Sequence, residues 1–282
     1  MAEKIRIKGH EKFSLREGWL TKGLYAAKDN PKIFSDDSAT DVLGVGTNMV
    51  KSMRYWMQAF SLLEKKGNSE VLSEIANIIL ENDPYFEDVF TLWVLHSNIS
   101  RNISTSTTWY MFFNYFDIEE FEKDDVVKYL TKEIPVRFGQ KVPDNSIKDD
   151  VDVLLNMYSK VNELHLDPED KIQSPFSGLG LIKRSDDTYY KTQPDLRTIK
   201  NDLILYEVSR LLSQCDSMSI DDLVMGECGI GKIYNLSKVA VNNYLERLND
   251  KGFIQVERTA GLDMVYKLEM PDSIEVIRNH YK

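Results

Sequence analysis

This sequence of 282 residues lacks the features that mark exported and membrane proteins. No apolar stretch in it approaches the roughly 20 residues that a membrane-spanning helix needs. The N-terminal MAEKIRIKGHEKF contains no apolar core of a signal peptide. Only two cysteines are present, Cys215 and Cys228, and the sequence near them supplies no further metal ligands. These absences predict a reduced, cytoplasmic protein that does not associate with membranes.

Positive charge is also in deficit, because the net charge is −10 at pH 7. The imbalance varies along the chain. Residues 1–60 hold ten Lys and Arg against seven Asp and Glu, whereas residues 81–170 hold eight against nineteen. The overall balance argues against a protein that coats nucleic acid along its whole length. A basic N-terminal part can still contact DNA while an acidic middle faces elsewhere.

Apolar residues recur at helical intervals through most of the chain, which predicts a mainly α-helical protein. Aromatic residues such as Trp93, Trp109 and Phe112 are predicted to form the core of a central helical bundle. We expect four parts: an N-terminal helix-turn-helix module that is winged-helix-like (1–68), a central helical domain (69–166), a linker with a short hairpin of GLIKRS and TYYKT (167–198), and a C-terminal winged helix with a β-hairpin (199–282).

The stretch DVLGVGTNMVKSMRYWMQA (41–59) holds two glycines in front of a long helix predicted over 47–66. A dinucleotide fingerprint would need a preceding strand and a third glycine, where this sequence has Met49. A helix-turn-helix needs a turn glycine between two helices with apolar faces, which fits Gly44. We therefore predict that the third helix contacts DNA through four polar residues near its start: Thr47, Asn48, Lys51 and Arg54. A helical hairpin in a protein that does not bind DNA remains the alternative.

Three predicted helices followed by a β-hairpin give the C-terminal segment the order of a winged helix. Its candidate DNA contacts are Lys238, Asn242 and Asn243 on the third helix and Arg258 in the hairpin. Residues 220–268 hold six basic and seven acidic residues, so a role in protein docking or dimerisation stays open.

The stretch GECGIGKI (226–233) matches the first seven positions of a Walker A loop. The eighth position is Ile233, where Ser or Thr must coordinate magnesium. We therefore expect a loop between the second and third helices of the winged helix rather than an ATP site.

Candidate catalytic residues occur in ENDPYFEDVFTLWVLH (81–96), where a helix is predicted over 84–99. The candidates are Asp83, Glu87, Asp88 and His96. Asp83 and Glu87 stand one helical turn apart, a spacing that can hold Mg²⁺ or Mn²⁺ for phosphodiester cleavage. The alternative is that these acids stabilise the dipole of a helix at its N-terminus. The sequence shows no Ser-His-Asp or Cys-His arrangement, and His10 in IKGHEKF stands alone.

Five stretches together resemble the SspB-like proteins, a family formerly catalogued as a domain of unknown function: GHEKFSLREGWLTKGL, LGVGTNMVKSMRYW, DPYFEDVFTLWVLH, WYMFFNYF and SIKDDVDVLLNMY. The resemblance covers roughly residues 8–270. It implies a bacterial DNA phosphorothioate modification and anti-phage defence system, in which partner proteins consume ATP and transfer sulfur. The SspB-like member is implied to engage double-stranded DNA and to nick one strand so that sulfur can be inserted. The resemblance carries no catalytic residue over to this sequence.

Two functional hypotheses follow. In the first, the chain is a DNA-binding subunit that nicks DNA with Mg²⁺ or Mn²⁺, beside an ATPase and sulfur-transfer partners. In the second, it is a non-enzymatic DNA-binding regulator or scaffold of winged-helix type. Both allow a homodimer, a state that winged-helix proteins often adopt. Cys215 and Cys228 lack the spacing of a sulfur carrier, so we expect the sulfur chemistry to reside in the partners.

Overall fold

The computed structural model describes residues 4–67, 69–159, 174–259 and 261–282. It divides the chain into two compact units, Met1–Thr192 and Gln193–Lys282. Helices dominate both units and small antiparallel sheets accompany them, which confirms the predicted mainly α-helical class. The predicted border between central domain and linker, at 166 and 167, lies outside the described residues. None of the helices in the described ranges combines the length and apolar character needed to cross a bilayer.

The first unit begins with three helices and a hairpin: α1 (Trp19–Asp29), α2 (Ala39–Leu43), α3 (Thr47–Ala59), β1 (Leu63–Lys66) and β2 (Ser69–Leu72). Gly44 ends α2 with a φ of 65°, a left-handed conformation that residues with a Cβ resist. Gly46 then leads into α3 in an extended conformation. Val50, Met53 and Trp56 are buried on α3, which packs against α1 and α2.

The third helix is shorter than predicted, because the hairpin β1–β2 takes up the end of the expected 47–66 helix. Ser61 adopts a φ of 58°, which a continuing α-helix does not allow. The strands pair antiparallel, with Leu63 opposite Leu72 and Lys66 opposite Ser69. Gly67 follows β1 with a φ of 63°, a conformation suited to a tight reversal.

Five further helices follow in the first unit, and the aromatic core lies among them: α4 (Glu74–Asn82), α5 (Val89–Arg101), α6 (Thr107–Tyr115), α7 (Lys123–Phe138) and α8 (Asp144–Tyr158). Trp93, Trp109 and Phe112 are completely buried, as the sequence predicts. The ring of Trp109 meets that of Trp56 edge to face, with 5.5 Å between the centroids. The core therefore joins α3 to the helices that follow it.

A three-stranded sheet completes the first unit, with β3 (Glu120–Glu122), β4 (Ile182–Ser185) and β5 (Thr188–Lys191) in the order β3-β5-β4. The hairpin predicted from GLIKRS and TYYKT is confirmed by the pairing of β4 with β5. Phe121 lies opposite Tyr189, and their rings stack at 5.9 Å. Because β3 pairs with β5, the hairpin belongs to the first unit rather than standing alone between two domains.

The second unit contains α9 (Asn201–Leu211), β6 (Ser217–Ser219), α10 (Ile220–Met225), α11 (Ile230–Ile233), α12 (Lys238–Asp250), β7 (Ile254–Thr259), β8 (Leu262–Lys267) and α13 (Ser273–His280). Its sheet has the order β6-β8-β7. Val241, Leu245 and Leu248 are buried on α12, as their helical spacing predicts.

The segment GECGIGKI joins α10 to α12 and includes α11. A Cβ on Gly226 would lie 2.3 Å from the carbonyl oxygen of Asp222. A Cβ on Gly229 or Gly231 would lie 2.7 Å from Val224 atoms. These separations are shorter than any van der Waals contact, so the glycines of the Walker-like stretch allow the backbone to pack closely.

Candidate nucleic-acid interface

The exposed face of α3 forms a narrow polar stripe. Thr47, Lys51, Arg54 and Gln58 recur at helical spacing, which places them on one side of the helix. Asn48 lies beside them, and the Lys51 Nζ atom donates to its Oδ1 atom at 3.4 Å. We call these five residues the α3 stripe. It contains all four DNA contacts predicted for the N-terminal module, whose role stays a prediction.

The two cations of the α3 stripe differ in their surroundings. Arg54 donates through Nε and Nη2 to both carboxylate oxygens of Glu70 on β2, at 2.8 and 3.1 Å. Gln58 donates to the same carboxylate at 2.6 Å. Lys51 is exposed and has no carboxylate partner in the part of the chain that the structure describes. Lys51 therefore carries the more available charge, while Arg54 fastens the hairpin to α3.

A cleft of about 570 Å³ adjoins the α3 stripe, because Arg54 and Gln58 also line it. We call it the basic cleft. Its walls come from the N-terminal segment, the loop after α1, the hairpin β1–β2 and the turn between α5 and α6. Five cations and two acids line it: Lys4, Arg6, Lys32, Arg54 and Lys65 with Glu64 and Glu70.

Three cations of the basic cleft are unpaired. Lys4, Lys32 and Lys65 are exposed, and their ammonium groups have no hydrogen-bond or ion-pair partner within the described ranges. Sequence reasoning missed them, because they belong to three segments that only the fold brings together. The basic excess of residues 1–60 is the one signal that pointed to this region.

The predicted DNA contacts of the second unit sit among acids. Lys238 forms an ion pair with Asp221, and that hydrogen bond raises the pKa of the lysine. Arg258 pairs with Glu246 and donates to Asn242 at 3.4 Å. Asn243 is exposed on α12. The structure thus brings Asn242 and Arg258 together, but a carboxylate balances each of the two predicted cations.

The predicted acidic residues do not lie on one helix, which corrects the predicted helix over 84–99. Asp83 ends α4, Glu87 and Asp88 lie in the connecting loop, and α5 begins only at Val89. The carboxylate of Asp83 is buried and accepts from the backbone N–H groups of Glu87 and Asp88, at 2.8 and 3.2 Å. It also accepts from the Thr91 hydroxyl. Asp83 therefore organises this loop.

The structure gives Asp83 a structural role, while a metal site on Asp83 and Glu87 stays a prediction. Both carboxylate oxygens of Asp83 already accept hydrogen bonds from the loop backbone or Thr91. Asp88 caps α5 by accepting from the backbone N–H of Phe90 at 2.9 Å, as the helix-terminus alternative expects. Within the described ranges, no group of three or more His, Cys, Asp or Glu side chains is arranged to hold a metal ion.

His96, the histidine among the predicted catalytic candidates, is fully buried, and so is His10. His96 Nδ1 lies 2.8 Å from the hydroxyl of Tyr158, whose pKa is raised by burial so that it stays protonated. His10 Nδ1 accepts from the backbone N–H of Lys12 at 3.1 Å, so its Nε2–H donates to Asp150 at 2.8 Å. Complete burial separates both rings from a substrate at the surface.

Comparison with known proteins gives two kinds of match. The DUF4007 family, described as a protein of unknown function, matches residues 7–281. No protein among the curated sequences matches. Two solved structures, "Magnesium ion-bound SspB crystal structure" and "SspB crystal structure", are similar in fold, each with a TM-score of 0.89 and 24% identity. Each alignment covers 99% of this chain and 89% of the other chain. The predicted resemblance to SspB-like proteins is thereby confirmed at the level of the fold.

Proposed function

This chain belongs to the DUF4007 family, and from its SspB-like fold and its α3 stripe we propose that it is a DNA-binding subunit. We assign it to a bacterial DNA phosphorothioate modification and anti-phage defence system, as its resemblance to SspB-like proteins implies. The observation that carries the proposal is Lys51, an exposed lysine without a carboxylate partner in the described ranges, on a polar stripe beside a cleft rich in cations.

The arrangement of α2, Gly44 and α3 supports a helix-turn-helix, with the hairpin β1–β2 as a wing. In such a module the start of the second helix approaches the DNA. Thr47, Asn48 and Lys51 occupy that start, where hydroxyl, amide and ammonium groups can donate to phosphates and base edges. Lys65 on β1 is exposed and lies where a wing would follow the DNA backbone.

The order of elements in the second unit and its sheet β6-β8-β7 support a winged helix there as well. Because its candidate cations Lys238 and Arg258 are balanced by acids, we give it a secondary part in DNA binding. Protein docking or dimerisation is the role that its charge balance favours.

A DNA-binding assay tests the proposal. The full chain should bind a short duplex with an affinity that falls steeply as salt is raised. The variant Lys51→Glu should weaken binding by about tenfold, or roughly 1.4 kcal/mol. Lys128→Glu on α7 is the matched control, since it makes the same charge change at an exposed lysine outside the α3 stripe and the basic cleft. Absence of binding at low salt, or equal losses in both variants, would refute the proposal.

A plasmid assay separates the nicking subunit from the non-enzymatic regulator. One of the similar structures is named as magnesium ion-bound, which makes Mg²⁺ and Mn²⁺ the metals to test. Conversion of supercoiled plasmid to open circle only with metal would support nicking. Binding without conversion would support the regulator or scaffold.

A further inference from the structure

The basic cleft gathers charges that the fold itself does not use. Lys4 comes from the N-terminal segment, Lys32 from the loop after α1, and Lys65 from β1. Like charges that converge on one cavity repel one another, and none of these three has a partner in the part of the chain that is described. An anionic ligand is the simplest way to balance them.

Arg6 is held in place at the cleft before any ligand arrives. Its backbone N–H donates to Thr107 Oγ1 at 2.9 Å, and its Nη1 donates to Gln58 Oε1 at 2.8 Å. Its guanidinium lies 5.1 Å from the ring centroid of Tyr55. These contacts fix the side chain, and its remaining guanidinium N–H groups have no partner among the described residues. A fixed guanidinium with free donors suits an oxyanion.

Glu70 shows how the cleft already accommodates an oxyanion. Its carboxylate receives two N–H groups of Arg54 and one of Gln58, a forked geometry that a phosphate adopts equally well. Glu70 therefore competes with any incoming anion for Arg54. Removing the charge of Glu70 should strengthen anion binding, whereas removing Lys4, Lys32 or Lys65 should weaken it.

The size and lining of the cleft point to a ligand larger than a bare ion. Its volume of about 570 Å³ falls in the range of small-molecule sites. Phe34 and Pro31 also line it, and an aromatic ring beside cations is a platform on which a nucleobase can stack. Ser104 and Thr105, in the turn between α5 and α6, add hydroxyl groups to the lining.

We infer that the basic cleft binds the phosphate of a nucleotide unit, with Arg6, Lys32 and Lys65 as its main contacts. Glu70 is the internal carboxylate that this phosphate displaces from Arg54. The inference deepens the proposed function, and it rests on that function only for the source of the phosphate. The source is either the backbone of DNA held at the α3 stripe or a free nucleotide.

Calorimetric titration of the full chain with pyrophosphate, AMP and a short DNA duplex tests the inference. Lys65→Glu should weaken pyrophosphate binding by about tenfold. Lys66→Glu is the matched control, because it is exposed on the same strand, one residue further along, and does not line the cleft. Glu70→Gln should tighten pyrophosphate binding by about threefold. The thermal midpoint of each variant verifies that it is folded.

The outcomes separate the site from its ligand and from the proposed function. If Lys65→Glu loses both pyrophosphate and DNA binding, the basic cleft binds phosphate and DNA is the source of that phosphate. Loss of pyrophosphate and AMP binding with intact DNA binding supports the cleft with a free nucleotide. No pyrophosphate binding by the wild type, or equal effects of Lys65→Glu and Lys66→Glu, overturns the inference. If the chain binds pyrophosphate but no DNA, the inference about the cleft stands and only the proposed function is refuted.

Discussion

The two units repeat an order of elements but not a distribution of charge. In the first unit α1 to α3 precede the hairpin β1–β2, and in the second unit helices up to α12 precede β7–β8. The first unit leaves Lys51 and three lysines of the basic cleft without carboxylate partners in the described ranges: Lys4, Lys32 and Lys65. The second balances Lys238 and Arg258 with acids of its own. Under the proposed function, unpaired charge rather than the order of elements distinguishes the module that contacts DNA.

The largest expected effect concerns the separate stability of the two units. Asp150 on α8 is buried and accepts from His10, from the Thr108 hydroxyl and from the backbone N–H of Lys8. Asp150→Ala leaves these donors without an acceptor, which should cost about 3–5 kcal/mol. Hydrogen exchange should show lost protection throughout Met1–Thr192 and retained protection in Gln193–Lys282. Equal loss in both units would contradict their independence.

The glycines of the two modules differ in why they are required. Gly229→Ala forces a Cβ to within 2.7 Å of the Val224 carbonyl oxygen, so we expect about 3 kcal/mol of lost stability in the second unit. Gly44→Ala meets open space and suffers only from its φ of 65°, so we expect about 1 kcal/mol in the first. Chemical denaturation of each variant measures both values. A cost for Gly44→Ala above that of Gly229→Ala would reverse this account.

Removing two carboxylates of the second unit tests the difference in charge pairing between the two units. The double variant Asp221→Asn with Glu246→Gln removes the carboxylates that balance Lys238 and Arg258. Duplex affinity should then rise about threefold at low salt. Lys238→Glu in the otherwise unchanged chain serves as control and should alter affinity by less than about twofold. A marked loss in Lys238→Glu would instead make α12 a main DNA contact, as the sequence allows.

The smallest expected effect is the pH dependence contributed by one carboxylate of the second unit. The hydrogen bond from His280 lowers the pKa of Asp202 in the folded chain. The resulting stabilisation is present above the ordinary aspartate pKa of about 3.9 and is lost as pH falls through the lower folded value. Since Asp202 is half exposed, we expect at most about 0.5 kcal/mol. Thermal unfolding of Asp202→Asn below and above pH 4 should lose this difference, while Asp250→Asn, at an exposed position on α12, retains it.

Local signals account for what the sequence predicts correctly. Gly44 ends a helix because glycine, which lacks a Cβ, readily adopts the left-handed backbone at this position. The apolar residues of α12 repeat at helical spacing. The hairpin β4–β5 follows from two short runs around Asp186 and Asp187. Each of these features is encoded within a few neighbouring residues, so it can be derived without knowing the tertiary structure.

The features that the sequence does not predict depend on distant partners or compete with a local preference. Residues 63–66 are Leu-Glu-Lys-Lys, good helix formers that extend the period of α3, and only Gly67 hints at a hairpin. Asp83 looks like a metal ligand until the fold places loop N–H groups around it. The basic cleft combines Lys4, Lys32 and Lys65, whose positions in the sequence give no sign that they meet.

The central claim is that the first unit contacts DNA through the α3 stripe and its neighbouring hairpin. Hydrogen exchange of the full chain with and without a saturating DNA duplex tests it most directly. The account predicts added protection at the start of α3 and along β1–β2, within residues 47–72, and little change in α12 or β7–β8. Protection confined to residues 238–259 would contradict it, and so would an exchange pattern that DNA leaves unchanged.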